Sequence, residues 1–121
     1  MNNVNVQEKV EKYQMDKRNA VTTTQLRLLL SNAVIIKNKI QVEERKEKKN
    51  VISEKLENEI KYLLVKHIYQ CGREPKVKIF DKEFHISEKI KEVGNSAKKF
   101  NDFYRYLEEI VAYMKYYESD K

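Results

Sequence analysis

A chain of 121 residues has the size of one domain, enough to bury about two thirds of its unfolded surface. Its 25 Lys and Arg outnumber 19 Asp and Glu, for a formal net charge of +6, and it is 36% charged and 40% hydrophobic. The apolar share excludes wholesale disorder, the basic excess suits an anionic partner, and the single cysteine, Cys71, excludes an intrachain disulfide.

Residues 1–20 are polar and carry no signal-peptide core, and the uncharged stretch 28–36 is too short to span a bilayer. A soluble, cytoplasmic protein without membrane contact is expected. Two glycines and one proline are too little punctuation for a β-rich fold of this length, while abundant Lys, Glu, Leu and Ile favour helices.

Residues 1–20 form an N-terminal segment, partly helical or frayed, in which Val6, Val10 and Tyr13 make a weak helical stripe. The first strong helix opens at "VTTTQLRLLL", where one of Thr22 to Thr24 is the expected cap. Leu26, Leu29, Leu30, Ala33, Ile36 and Ile40 recur on one side, and Leu28, Ile35 and Val42 recur every seven residues on nearly the opposite one. A helix apolar on two sides is central in a bundle or covered by a partner. The charge run "EERKEKKN" (43–50) reads as a fraying helix end and an exposed loop.

The next helix starts near Ser53 and buries Leu56, Ile60, Leu63, Leu64, His67, Ile68 and Cys71. Gly72 is the expected left-handed residue that ends it, and Pro75 the residue that prevents a restart. Residues 76–94 read as two short helical pieces, anchored by Ile79, Phe80 and Phe84 and then by Ile86, Ile90 and Val93, with Gly94 as the stop. The alternation of Val77 and Ile79 also suits a short strand. The last helix runs from Asn95 or Ser96 to about Glu118, with Phe100, Phe103, Tyr104, Leu107, Ile110, Val111, Met114 and Tyr117 as its stripe. The predicted architecture is all-α, a compact bundle of about five helices with residues 21–121 as its single domain.

Catalytic signatures are missing. There is no GxxxxGK[ST] or GxGxxG loop, and one Cys with two scattered His residues does not supply the four ligands of an ordinary zinc site. His67 falls in a core stripe, as a packed histidine does. Cys71 lies one turn further on, with no third group in sight to orient a thiolate–base pair. His85 sits in a connection with only Asp81 nearby. No catalytic residue, metal or cofactor is expected. The tyrosines of the last helix read as core or interface.

One face is different. On a helical wheel Lys55, Tyr62, Lys66, Tyr69 and Arg73 fall within about 60° of arc, away from the core stripe. Cations interleaved with flat rings suit a sugar-phosphate backbone and splayed bases, although long amphipathic side chains also commonly border a core. Arg27, by periodicity alone, is a surface arginine.

Three stretches carry a resemblance to a known family, the small helical subunit of the type III-A CRISPR interference (Csm) complex. They are "TTTQLRLLL" (22–30), "IKYLLVKHIYQCGREP" (60–75) and "IKEVGNSAKKFNDFYRYLEEIVAYMKYY" (90–117). Gln70 and Cys71 stand where that family has an acidic and a small residue, and Met114 where it has a His. The resemblance implies a non-catalytic, multi-copy subunit of a crRNA-guided antiviral complex, stacked along the backbone ribonuclease subunits and lining the channel of crRNA and target RNA. It adds Arg27 to the RNA-facing set of Lys55, Tyr62, Lys66, Tyr69 and Arg73. A free-standing helical regulator, such as a DNA-binding bundle, is the alternative, and a metal-free hydrolase the more distant one.

Overall fold

The computed structural model describes residues 6–15, 20–47 and 50–118. They form six helices: α1 (Val6–Met15), α2 (Thr23–Glu47), α3 (Glu54–Arg73), α4 (Pro75–Phe84), α5 (Ile86–Val93) and α6 (Ala97–Glu118). Among the described residues the extended backbone pairing is one isolated bridge, Val51 to Ser96. The all-α expectation holds, and the Val77–Ile79 strand alternative does not. The sixth helix comes from the ambiguous N-terminal segment.

Side-chain spacing and caps explain where the helices begin. At α2, Thr22 Oγ1 accepts from Gln25 N at 3.1 Å while Gln25 Oε1 accepts from Thr22 N at 2.9 Å, a reciprocal capping box. Ser53 caps α3 by accepting from Leu56 N at 3.2 Å. Ser96 Oγ accepts from Lys99 N at 3.1 Å, and Asn50 Oδ1 from Lys98 N at 2.7 Å. The Asn50 carbonyl also accepts from Ala97 N at 2.7 Å. Asn50, in the α2–α3 connection, thus satisfies two first-turn donors of α6 that would otherwise lack partners.

α6 packs on α1, α2 and α5, and α3 packs on α2, α4 and α5. Phe100, Leu107, Ile110 and Met114 of α6 are fully buried, as are Phe80, Phe84, Ile86 and Ala33. Each large apolar side chain buried this way stabilises the fold by roughly 1.5–3 kcal/mol. α1 joins the same core through Val6 and Val10. Tyr13 sets its ring edge-on against Phe80 and Phe84, with centroids 5.9 and 5.3 Å away, and its hydroxyl accepts from Val21 N at 2.8 Å.

Three expectations about helix ends and faces change. Gly72 is not a left-handed stop: positive φ is confined, among the described residues, to Gly94 and His85, and Gly72 lies within the last turn of α3. The helix ends at Glu74, whose backbone is extended (φ −122°, ψ 108°) because the ring of the following proline excludes the helical region there. Nor does Pro75 prevent a restart. It is the first residue of α4, where its missing N–H costs nothing and its fixed φ suits a helix. Ile68 and Ile79, assigned to core stripes, are 49% and 40% exposed, and Val77 takes the buried place in α4.

The remaining boundaries follow the sequence. Gly94 (φ 56°, ψ −124°) ends α5, in a backbone region open essentially to glycine. His85 makes the α4–α5 turn in the left-handed region (φ 57°, ψ 41°). The α5 N-terminus is served from a distance, because Asp81 accepts from Ser87 N at 2.7 Å and from Ser87 Oγ at 2.5 Å.

Candidate nucleic-acid interface

The outward side of α3 carries the predicted face. Lys55, Tyr62, Lys66, Tyr69 and Arg73 are all exposed, Tyr62 by 60% and Tyr69 by 64%. An unbroken helix from 54 to 73 is what aligns them, since residues three, four and seven apart return to one side over about 27 Å of rise. Lys66 Nζ lies 4.8 Å from the centre of the Tyr62 ring, a cation–π pair one turn apart. Tyr69 makes no aromatic ring contact or hydrogen bond among the described residues. Arg27, Lys55 and Arg73 form no ion pair there either. Arg27 is exposed on α2, and among the described residues no hydrogen bond, ion pair or cation–π contact joins it to the α3 set.

The structure brings this face to the second apolar side of α2. Leu28, Ile35 and Val42 are 52%, 50% and 47% exposed, so α1 does not cover them; it lies on α6 instead. An open groove of about 320 Å³ runs between α2 and α3, lined by Asn32, Ile35, Asn58, Glu59, Tyr62 and Lys66 among others. Leu28 and Lys66 share the lining of a neighbouring hollow. Leu28 and Ile35 of the apolar row and Tyr62 and Lys66 of the aromatic–basic row, which the sequence presents separately, therefore share one surface. The acid in the groove is neutralised across it, with Lys39 Nζ 3.0 Å from Glu59. Asn32 and Asn58 add hydrogen-bonding groups that the sequence reading missed. Asn58 stands one turn before Tyr62, which was its available signal; Asn32 on α2 had none.

A larger groove, about 530 Å³, separates α5 and α6. Lys89, Lys99 and Arg105 are matched there by Glu92, Asp102 and Glu109, so it offers an anion no net attraction.

His67 occupies the interior side of α3, as its stripe predicts, and is 3% exposed. Its Nε2 is 2.9 Å from Asp81 Oδ1 and 3.6 Å from Cys71 Sγ. The third group that the sequence did not reveal is thus Asp81, but both partners address the same ring nitrogen. A nucleophile–base–orienter relay needs them on opposite nitrogens, so this is not a catalytic triad. Burial, with the charge of Asp81 second, pushes the Cys71 thiol up to about 11, which keeps it protonated at neutral pH and a poor nucleophile. Burial alone would raise the Asp81 carboxyl; the hydrogen bonds from Ser87 and His67 outweigh it and hold the group below the usual carboxylate range. His85 pairs instead with Glu88, 2.9 Å away on the surface.

Comparison with known proteins gives a consistent result. The family model described as Csm2 Type III-A matches residues 3–120. A protein of Mycobacterium tuberculosis named "CRISPR system Cms protein Csm2" is 34% identical over 96 residues, covering 79% of this chain and 74% of its own. Proteins of the same name from Enterococcus italicus (34% over 101 residues, 82% and 69%) and Streptococcus thermophilus (36% over 97 residues, 80% and 73%) are similarly related.

Proposed function

The chain belongs to the type III-A Csm2 family, and from that premise we propose that it is a non-catalytic small subunit that holds crRNA and target RNA in a type III-A effector in the cytoplasm. The contact is sequence-independent. Lys55, Lys66 and Arg73, joined by Arg27, neutralise phosphates, and Tyr62 and Tyr69 offer faces to bases. The observation that carries the reading is the exposed, aligned row of cations and rings on α3, whose cations pair with no acid among the described residues. The apolar row of Leu28, Ile35 and Val42 beside it is the surface for a neighbouring subunit, either another copy or the backbone ribonuclease. RNA and protein neighbour would then meet along one groove, which suits a subunit stacked on a filament.

The reading is tested with two variants of the full chain. The double variant K66E/R73E should keep its helicity and bind single-stranded RNA at least about tenfold more weakly. Each lost phosphate contact should flatten the slope of log affinity against log salt by about 0.7. A folded double variant that binds RNA like the parent, alone and in the reconstituted complex, sinks the RNA role. Ile35→Glu alters a half-exposed residue, so folding should survive while incorporation into the complex falls. Unchanged incorporation removes the assembly role of that row.

A further inference from the structure

The His67–Cys71–Asp81 cluster sits on the inward side of α3, where His67 lines the floor of the hollow that Leu28 and Lys66 share, and the reading above gives it no role in RNA contact or assembly. Three donor atoms of different kinds converge there from two helices: an imidazole nitrogen, a thiol sulfur and a carboxylate oxygen, all within 4.8 Å of one another. Hydrogen bonding serves the nitrogen and the oxygen and leaves the sulfur the worst partnered of the three. If Nε2 carries a proton and donates it to Asp81 Oδ1, the thiol faces an N–H for which sulfur is only a weak acceptor. If Nε2 instead presents its lone pair to the thiol, that lone pair also faces the carboxylate oxygen at 2.9 Å. A cation among the three atoms satisfies every lone pair at once.

We propose that His67 Nε2, Cys71 Sγ and Asp81 Oδ1 form a three-ligand site for a borderline-soft divalent ion of the zinc class, with water in the fourth position. The 3.6 Å between sulfur and nitrogen is the edge, about 3.6 Å, that ordinary Zn–N and Zn–S bonds subtend at a tetrahedral angle. The carboxylate oxygen would withdraw from the nitrogen by about 0.5 Å, to an N···O edge of about 3.4 Å, and close on the sulfur, which lies within 4.8 Å of it, to an S···O edge of about 3.6 Å. It is already oriented from behind by Ser87 N and Ser87 Oγ, as the outer partners of metal ligands usually are. Thiolate and carboxylate together bring two negative charges, so a divalent ion leaves the half-buried site neutral. Access is available because Cys71 is half-buried and the Asp81 side chain 18% exposed. On binding, the thiol releases one proton to solvent, and the imidazole proton that Nε2 donates to Asp81 passes to Nδ1, so the ring stays neutral. The ion would tie the end of α3 to α4, and through Ser87 to the start of α5.

Cobalt is the probe, because Cys71 is the only cysteine in the chain and a thiolate-to-cobalt charge-transfer band can arise nowhere else. Metal-stripped full-length protein titrated with Co²⁺ should develop that band in the near ultraviolet, and Zn²⁺ should abolish it. Cys71→Ala should show no band, and D81N and H67Q should bind at least about tenfold more weakly, with folding checked by circular dichroism. No band in the parent up to millimolar cobalt overturns the site. So does a band of parental affinity in folded D81N and H67Q, which would mean that the Cys71 thiolate binds the ion without them. Should those two variants fail to fold, the thermal midpoint decides. Zn²⁺ should raise it in the parent and not in Cys71→Ala, and a parent midpoint that zinc leaves unmoved defeats the proposal.

Discussion

Two junctions of this molecule look alike in sequence and are built differently. The α3–α4 junction reads Cys71-Gly72-Arg73-Glu74-Pro75, and the α5–α6 junction reads Val93-Gly94-Asn95-Ser96; each follows an apolar stripe with a glycine. Only Gly94 uses the freedom that glycine has, at φ 56° and ψ −124°. Gly72 keeps helical geometry, and the chain turns two residues later because Pro75 forces Glu74 to extend. A glycine therefore permits a break without compelling one. What decides is whether neighbouring contacts need the chain to reverse there. After Gly94 they do: Asn95 O accepts from Ile52 N at 3.0 Å, and Asn50 receives the first donors of α6.

The comparison can be broken by substitution, and the largest effect belongs to Gly94. Gly94→Ala meets no atom within 4 Å of the added Cβ, so its cost is backbone strain alone, about 1–3 kcal/mol of stability by denaturant titration. A neutral result would show that Gly94 is as incidental as Gly72. Asn50→Ala comes next. It removes the acceptor for Lys98 N but keeps the backbone carbonyl, and should lose about 1 kcal/mol, in the range of a helix cap. Loss of much more would make Asn50 a structural centre in its own right. The smallest effect has the opposite sign. Gly72→Ala also has open space around the new Cβ, but inside a helix, and should raise stability by about 0.5–1 kcal/mol. A destabilised Gly72→Ala would mean that the last turn of α3 opens in solution and that the two junctions are alike after all.

The helices and their inner faces were legible in the sequence because they rest on local chemistry. Thr22 and Ser53 cap α2 and α3 through bonds within three residues, and the stripes from Leu26 to Ile40 and from Phe100 to Met114 follow from 3.6-residue periodicity. So did the outward row of Lys55, Tyr62, Lys66, Tyr69 and Arg73, since one continuous helix is enough to align it. The stretches at 22–30, 60–75 and 90–117 also carried the family resemblance that the family match over residues 3–120 bears out.

Tertiary structure alone decided the rest. The weak stripe of Val6, Val10 and Tyr13 becomes a helix because Phe80 and Phe84 wait for Tyr13 from some seventy residues away, and a ten-residue helix in isolation would be marginal. That choice sends α1 to α6 and leaves Leu28, Ile35 and Val42 half-exposed, the first two beside Tyr62 and Lys66. Asp81 is the plainest case. Periodicity gave it His85, four residues on, as its neighbour; the left-handed turn at His85 folds α5 back so that Asp81 meets His67 and Ser87 instead. Period and capping act over one or two turns of chain and can be read locally. Which faces meet depends on every helix competing to bury its stripe at once, a balance that exists only when the whole bundle has closed.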